Sequence, residues 1–159
     1  TAVVRNEIKV TAELNIDALV STPPYYFDYS QQEIRRHYEI ISESTELPVI
    51  IYDIPSKTQN MVHIDTLREL SEVRNIVGLK DTTGDMERFQ KILKVFGDDE
   101  GFTVAQGTEE YFFHSLLSGA DGLVSGVANI CPQKIKSQID SYRAGDYSRT
   151  REIQSELLL

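Results

Sequence analysis

The chain has 159 residues, of which 40% are hydrophobic and 26% charged, and its formal net charge at pH 7 is −9. This length and composition are typical of one globular domain and argue against extensive disorder. The acidic balance argues against partners such as nucleic acid or an anionic membrane surface, and no apolar run is long enough to span a bilayer.

Short apolar runs alternate with helical patterns along the chain. We predict five strands, at 18–22, 49–52, 76–80, 102–106 and 122–125. We predict seven helices, at 2–14 with Ala12 inside it, from Ser30 onward, at 65–73, from Asp85 onward, at 108–119, from Pro132 onward, and from Tyr147 to the end.

Helix-capping signals support several of these boundaries. Ser30 and Glu33 form a capping box, and Asp85 and Thr108 can each cap a helix. Pro132 occupies the favoured first position of its helix. These signals predict where helices begin independently of the hydrophobic periodicity.

The alternation of strands and helices predicts an α/β fold with parallel strands. A (β/α)₈ TIM barrel needs eight strands and about 250 residues, whereas we predict five strands. The chain is therefore either a small open α/β domain or about five βα units of a barrel, followed by C-terminal helices. The sequence begins at Thr1 rather than Met, and we expect the other βα units to lie upstream.

Tyr52 and Lys80 end two consecutive predicted strands. Catalytic groups of βα barrels lie at the carboxyl ends of strands, and neighbouring strands are about 4.8 Å apart. Ile50 should share a face with Tyr52, while Ile76 and Gly78 should share one with Lys80, and Gly78 should leave room beneath the lysine stem. An amine among apolar side chains loses its proton more readily and can attack a ketone. A nearby phenol can relay protons.

No pattern in the sequence predicts a metal site. His37, His63 and His114 are far apart and lack the spacing of metal ligands. His37 follows two arginines and should lie on a solvated helix face. Cys131 cannot form a disulfide within the chain, and no signal peptide opens the sequence, so we expect a reducing, cytoplasmic location.

Four segments resemble the dihydrodipicolinate synthase/N-acetylneuraminate lyase family, in family order and at family-like spacing. Tyr52–Thr58 resembles the Tyr-Asn-x-Pro-x-x-Thr signature, and Gly78–Asp85 resembles the Schiff-base motif. Thr22–Phe27 resembles the Pro-Tyr-Tyr segment, and Asp121–Asn129 resembles the last barrel strand with its loop. The resemblance covers essentially the whole chain and implies a (β/α)₈ barrel whose fourth to eighth strands are present here.

The resemblance also implies a class I aldolase that condenses or cleaves pyruvate, with an aldehyde as the other small-molecule partner. Lys80 would hold the 2-keto acid as an imine, so neither a cofactor nor a metal would be required. Tyr52 would relay protons, and Tyr26 would reach the relay of a neighbouring subunit in a homodimer or homotetramer. Gly107, after the seventh strand, and Val124, in the eighth, would line the pocket with their backbone.

Three positions depart from the family pattern. Lys57 stands where the synthase branch has an arginine for the second substrate's carboxylate, and it keeps the charge without the forked geometry. Asp53 replaces the usual asparagine, and Phe27 resembles the sugar-acid aldolases. No segment resembles the family's Thr-Thr-Gly-Glu-type site for the pyruvate carboxylate, which follows the second barrel strand.

Three alternatives to a synthase-like enzyme stay open. The first is a 2-keto-3-deoxy sugar acid aldolase of the same family. The second is a phosphate-binding barrel enzyme that uses Gly107 and Gly126, and the third is an inactive barrel fragment. In the leading interpretation, residues 1–130 form the partial barrel, and residues 131–159 begin the family's helical extension.

Overall fold

The computed structural model describes residues 2–11 and 13–158 of the chain. Within these residues, five parallel strands form one sheet in which each strand pairs with the next along the chain. The strands are β1 (Leu19–Ser21), β2 (Val49–Asp53), β3 (Ile76–Asp81), β4 (Thr103–Gln106) and β5 (Gly122–Leu123). Parallel neighbours require a crossover between them, and the predicted α/β fold is confirmed.

In the described part of the chain, eight helices accompany the sheet, and two of them follow β5. They are α1 (Ala2–Thr11), α2 (Gln31–Ser42), α3 (Pro55–Thr58), α4 (Ile64–Ser71), α5 (Met86–Phe96), α6 (Phe112–Leu117), α7 (Pro132–Arg143) and α8 (Tyr147–Leu157). Single 3₁₀ turns occupy Glu109–Tyr111 and Val127–Asn129. Within the described part of the chain, no helix is both long and apolar enough to cross a membrane.

The predicted starts of three helices are confirmed. The Ser30 hydroxyl accepts a hydrogen bond from the Glu33 backbone N–H, and the Glu33 carboxylate accepts one from the Ser30 N–H at 2.9 Å. Asp85 caps α5 through the Arg88 N–H at 2.9 Å. Pro132 is the first residue of α7. Local side-chain chemistry was therefore sufficient to place these boundaries.

The first and last predicted helices are longer than the observed ones. Helix α1 ends at Thr11, and Leu14 already lies in a turn, with its N–H bonded to the Thr11 carbonyl. Ala12 lies outside the described residues. Helix α8 ends at Leu157, and Leu159 lies outside the described residues as well. The spacing of apolar residues alone does not predict the residue at which a helix ends.

The segments after β2 and β4 also differ from the prediction. Helix α3 was not predicted, because it has only four residues. The predicted helix at 108–119 is a 3₁₀ turn followed by α6. The side-chain oxygen of Gln106 accepts hydrogen bonds from the N–H groups of Gly107 and Thr108, while the Thr108 hydroxyl makes no capping bond within the described chain. Gln106 thus directs the chain out of β4.

Strand β5 is two residues long, so Val124 follows the strand rather than lying in it. The Val124 N–H still donates to the Gln106 carbonyl at 2.9 Å. The chain then enters the 3₁₀ turn at Val127–Asn129. In the described chain, β5 pairs with β4 on one side only. Its ladder has two register pairs.

The main core lies between the sheet and helices α2, α4 and α5. Buried and half-buried residues alternate along β2, so Val49, Ile51 and Asp53 face the helices. A register shift at the start of the β2–β3 ladder pairs Ile76 with Val49, and both belong to this core. The expectation that Ile76 shares the face of Lys80 was therefore wrong. Helices α6 and α7 form a second, smaller cluster.

Candidate active site

Tyr52 and Lys80 meet at the carboxyl ends of β2 and β3. They are register partners in the parallel ladder, and both side chains are half-buried. The Lys80 Nζ lies 3.8 Å from the centroid of the Tyr52 ring, which is a cation–π contact. The prediction that the phenol and the amine lie close together is therefore confirmed. The amine therefore has a fixed neighbour on the face of the sheet away from the helices.

Gly107, the first residue after β4, lies against the lysine stem. Its N–H donates to the Asp81 carbonyl at 2.7 Å. A Cβ at this position would lie 3.0 Å from the Lys80 Cε and would overlap the Thr82 hydroxyl oxygen. Only glycine allows the loop after β4 to approach the end of β3 this closely.

Gly78 has a role that the sequence did not predict. A Cβ there would lie 2.6 Å from the Thr103 carbonyl oxygen on β4. The absent side chain thus allows β3 and β4 to approach each other. This role depends on the neighbouring strand and cannot be read from the Gly-Leu-Lys sequence.

Tyr26, Lys57 and Val124 lie in the segments that follow β1, β2 and β5, at the same edge of the sheet. Tyr26 follows β1 with a φ of 84°, its side chain is 79% exposed, and its ring meets that of Phe27 edge-on. Lys57 is exposed on α3 after β2. Val124 is 51% exposed directly after β5. Parallel strands bring these loops to the mouth of the fold.

A buried ionic cluster lies behind the Tyr52–Lys80 pair, and the sequence patterns did not reveal it. Arg88 of α5 forms ion pairs with Asp53 and Asp81, the residues that follow Tyr52 and Lys80. Burial raises the pKa of Asp53 to about 7, and the charge of Arg88 opposes this rise. The only available signal was an acidic residue at each strand end and an arginine in the next helix.

Glu109 connects the loops after β4 and β5. Its Oε1 accepts hydrogen bonds from the Ser125 hydroxyl at 2.6 Å and from the Val127 N–H at 3.1 Å. Burial opposes ionisation, but these hydrogen bonds prevail and lower the pKa of Glu109. Sequence reasoning missed this role because the acidic residue lies in a helical first turn, where the dipole alone accounts for it.

The expectation of a solvated His37 was wrong. His37 is buried, and its Nε2 lies 3.2 Å from the Thr22 carbonyl oxygen. Burial lowers its pKa. The neighbouring arginines pointed to a solvated face, but the 3.6-residue period places His37 beside Tyr38 and Ile41 on the core side.

The site is built from amine, phenol and backbone groups rather than from metal ligands. Among residues 2–11 and 13–158, no group of His, Cys, Asp or Glu side chains could hold a metal ion. A half-buried primary amine beside a phenol can act as a nucleophile toward a carbonyl compound, with the phenol as proton relay.

Comparison with known proteins agrees with this architecture. The model of the dihydrodipicolinate synthetase family matches residues 6–159. A 4-hydroxy-tetrahydrodipicolinate synthase from Oceanobacillus iheyensis is 31% identical over 150 residues, which is 94% of this chain and 50% of that protein. The chain spans about half the length of the curated relatives it matches.

Solved structures give the same result. A dihydrodipicolinate synthase from Bacillus anthracis superposes with a TM-score of 0.90 at 29% identity, over 96% of this chain and 52% of that one. The chloride-inhibited dihydrodipicolinate synthase from Acinetobacter baumannii, solved with pyruvate, gives a TM-score of 0.86 at 32% identity, over 96% and 53% of the two chains. The chain thus corresponds to about half the length of these TIM-barrel proteins and carries five parallel strands.

Proposed function

The chain belongs to the dihydrodipicolinate synthetase family, and we propose that it carries the imine-forming site of a class I aldolase that acts on pyruvate. The observation that supports this most strongly is the contact between the Lys80 amine and the Tyr52 ring at the carboxyl edge of the sheet. The Acinetobacter baumannii relative was solved with pyruvate, which supports the same substrate here.

The chemistry follows from these two side chains. The neutral Lys80 amine attacks the ketone carbon of pyruvate, and loss of water leaves a C=N bond. The protonated imine withdraws electrons, so the adjacent methyl group loses a proton and becomes a carbon nucleophile toward an aldehyde. Tyr52 relays protons during these steps. The imine itself is the electron sink, and the proposed reaction therefore needs no cofactor.

We assign further roles to the loops at the mouth of the fold. Gly107 and Val124 would line the pocket with their backbone, and Lys57 would bind the carboxylate of the second substrate. The exposed Tyr26 would reach the relay of a neighbouring subunit, so the protein would work as a homodimer or homotetramer. The exposure of Lys57 and Tyr26 supports roles that need a partner from outside the chain.

The remaining proposals concern organisation and location. We propose that residues 1–130 belong to the barrel and that residues 131–159 begin a helical extension, since α7 and α8 pack on each other and on α6. The lone Cys131 is consistent with a reducing cytoplasm. No feature of the acidic surface favours nucleic acid or membrane as a partner.

Borohydride trapping tests the imine directly. We expect that reduction of the full-length gene product in the presence of pyruvate adds pyruvate, minus water and plus two hydrogens, to the peptide containing Lys80. Peptides with the exposed Lys91 and Lys94 serve as internal controls and should stay unlabelled. Labelling at another lysine, or none in an enzyme that turns over, would refute the assignment.

The variant Tyr52→Phe distinguishes packing of the Tyr52 ring against Lys80 from proton relay by the Tyr52 hydroxyl. This variant keeps the ring under the Lys80 amine but removes the hydroxyl. We expect trapping to persist while turnover falls about 10²- to 10⁴-fold, the usual effect of removing a positioned acid–base group. Unchanged turnover would mean that Tyr52 only packs against the lysine.

The phosphate-binding alternative is not favoured by the hydrogen bonds at the same edge. The Gly107 N–H already donates to the Asp81 carbonyl and the Gln106 side chain. The Glu109 carboxylate lies beside Gly126, bonded to the Val127 N–H, and would repel an anion.

The curated relatives are named as synthases, so the sugar-acid alternative is not favoured either.

A further inference from the structure

Arg88, Asp53 and Asp81 form a buried cluster on the helix side of the sheet. The Arg88 Nη2 donates to the Asp53 Oδ2 at 2.7 Å and to the Val62 carbonyl at 2.6 Å. The Arg88 Nη1 donates to the Asp81 Oδ2. All three charged side chains are at most 8% exposed. The guanidinium of α5 thus bridges the carboxyl ends of two neighbouring strands and the loop that precedes α4.

The two carboxylates of the cluster and the proposed reactive pair lie on opposite faces of the sheet, at the ends of the same two strands. Asp53 pairs with Asp81 in the ladder, directly after the pairing of Tyr52 with Lys80. Successive side chains alternate across a strand, so the two carboxylates point toward α5 while the phenol and amine point to the other side. A shift of either strand end would therefore move both pairs together.

The carboxylates of Asp53 and Asp81 differ in how many of their oxygens accept hydrogen bonds. The second oxygen of Asp81, Oδ1, accepts from the Thr83 N–H at 2.8 Å and from the Thr83 hydroxyl at 2.6 Å. The second oxygen of Asp53 has no hydrogen-bond partner in the described chain. Asp81 therefore needs both its oxygens as acceptors, and its bond to Arg88 also anchors the turn that leads from Lys80 into α5.

We propose that Arg88 is a positioning residue for the imine chemistry, because it holds the ends of β2 and β3 in register and so keeps Lys80 against Tyr52. This inference rests on the proposed function of Lys80. Arg88 touches neither the lysine nor the space beside it; it acts through the backbone of Asp53 and Asp81. Arginine suits this role because its planar fork reaches two acceptors in fixed geometry.

Arg88→Lys is the primary test in the full-length gene product. Lysine keeps the positive charge but has one nitrogen, which cannot span the positions that Nη1 and Nη2 occupy. We expect a cooperatively melting protein whose borohydride trapping at saturating pyruvate is slower by about 10- to 100-fold, the range expected when a reacting group is misplaced. The KM for pyruvate should change much less than the rate of trapping at saturating pyruvate.

Asp81→Asn is the second test, and it applies if Arg88→Lys fails to fold. An asparagine has a single acceptor oxygen, so it loses either Arg88 or Thr83. We again expect slower trapping with little change in KM. Lys91→Met is the matched control, because it removes a positive charge from the same helix at an exposed pair with Glu87. The control should trap pyruvate at the native rate.

A second readout separates this proposal from the proposed function. Reductive methylation of Lys80, in which formaldehyde forms an imine that cyanoborohydride reduces, needs no pyruvate site and reports how freely the amine moves. We expect Arg88→Lys to raise the methylation rate of Lys80 several-fold relative to that of Lys94. If the native protein fails to trap pyruvate, the proposed function fails while this readout still tests the positioning. Native trapping and methylation rates in folded Arg88→Lys or Asp81→Asn would overturn the inference.

Discussion

Asp53 and Tyr52 are adjacent in sequence but have opposite environments. Tyr52 is half-buried beside Lys80, whereas Asp53 is fully buried behind the sheet. The charged or titratable groups facing Asp53 are Arg88 on α5, Asp81 on β3 and Tyr38 on α2. Burial disfavours the charged form of Asp53, and one arginine between two carboxylates leaves one negative charge uncompensated, so Asp53 holds its proton up to a pKa of about 7.

This arrangement makes stability depend on pH in a definite direction. The pKa of Asp53 is raised by burial from 3.8 to about 7 in the folded protein. The folded state therefore binds a proton that the unfolded state releases between these values, and the contribution to stability is lost as the pH rises toward 7. A displacement of this size corresponds to at most about 4 kcal/mol.

We predict that Asp53→Asn removes this dependence. Asparagine resembles the protonated acid, and its carbonyl oxygen can still accept from Arg88 and the Val62 N–H. The Tm of the variant should match that of the native protein at pH 4 and exceed it at pH 8, as measured by thermal melting across this range. A constant difference in Tm at every pH would contradict the raised pKa.

At the scale of the elements, the loops after the strands are held together by a few buried polar side chains. Asn60, between α3 and α4, is buried and reaches the loop after β1. Its Oδ1 accepts from the Tyr29 N–H at 2.8 Å, and its Nδ2 donates to the Pro24 and Phe27 carbonyls at 3.0 and 2.8 Å. This loop carries Tyr26 with its positive φ, a backbone conformation that costs energy and persists only where its surroundings hold it.

We predict that Asn60→Ala loosens the loop that carries Tyr26. Three backbone groups lose their partner, and each costs about 1–3 kcal/mol when it is left unpaired, so the Tm should fall by at least about 6 °C. Hydrogen exchange should become faster at Tyr29, while borohydride trapping at Lys80 should change little. Asn129→Ala is the control, since Asn129 is exposed and bonds to the Gly126 carbonyl. Unchanged exchange at Tyr29 would show that Asn60 does not hold this loop.

At the scale of the whole molecule, the sheet is open. Within the described chain, β1 and β5 each have a neighbour on one side only. Large apolar side chains near these edges are exposed, including Val20 and Ile130. Unpaired strand edges and exposed apolar surface favour association with other chains. In a closed barrel both edges would be paired, because strand number, tilt and shear are linked.

We predict that residues 1–159 expressed alone are not a competent aldolase. The open edges and the uncovered inner face should cause self-association or loss of a cooperative melt. Sedimentation, thermal melting and pyruvate trapping should be compared with those of the full-length gene product, and trapping by residues 1–159 should be undetectable. A monomeric, cooperatively melting and trapping-competent chain would favour a small open α/β domain instead.

Local chemistry in the sequence determined the α/β alternation, the parallel strands and the starts of α2, α5 and α7. Apolar runs, a capping box, an aspartate cap and a proline act within a few residues of where they stand. The position of Lys80 at a strand end, one strand from Tyr52, also follows from this order, because parallel neighbours bring their carboxyl ends to one edge.

The tertiary structure alone decided which groups meet across the chain. The Arg88–Asp53–Asp81 cluster and the link from Glu109 to Ser125 each join residues from different parts of the chain. The register shift that turns Ile76 toward the helices also arises between strands. Such contacts depend on how α5 packs against the sheet and how the segments after the strands meet, so no local pattern encodes them. Sequence order brings Tyr52 and Lys80 to one edge, whereas packing determines what holds them there.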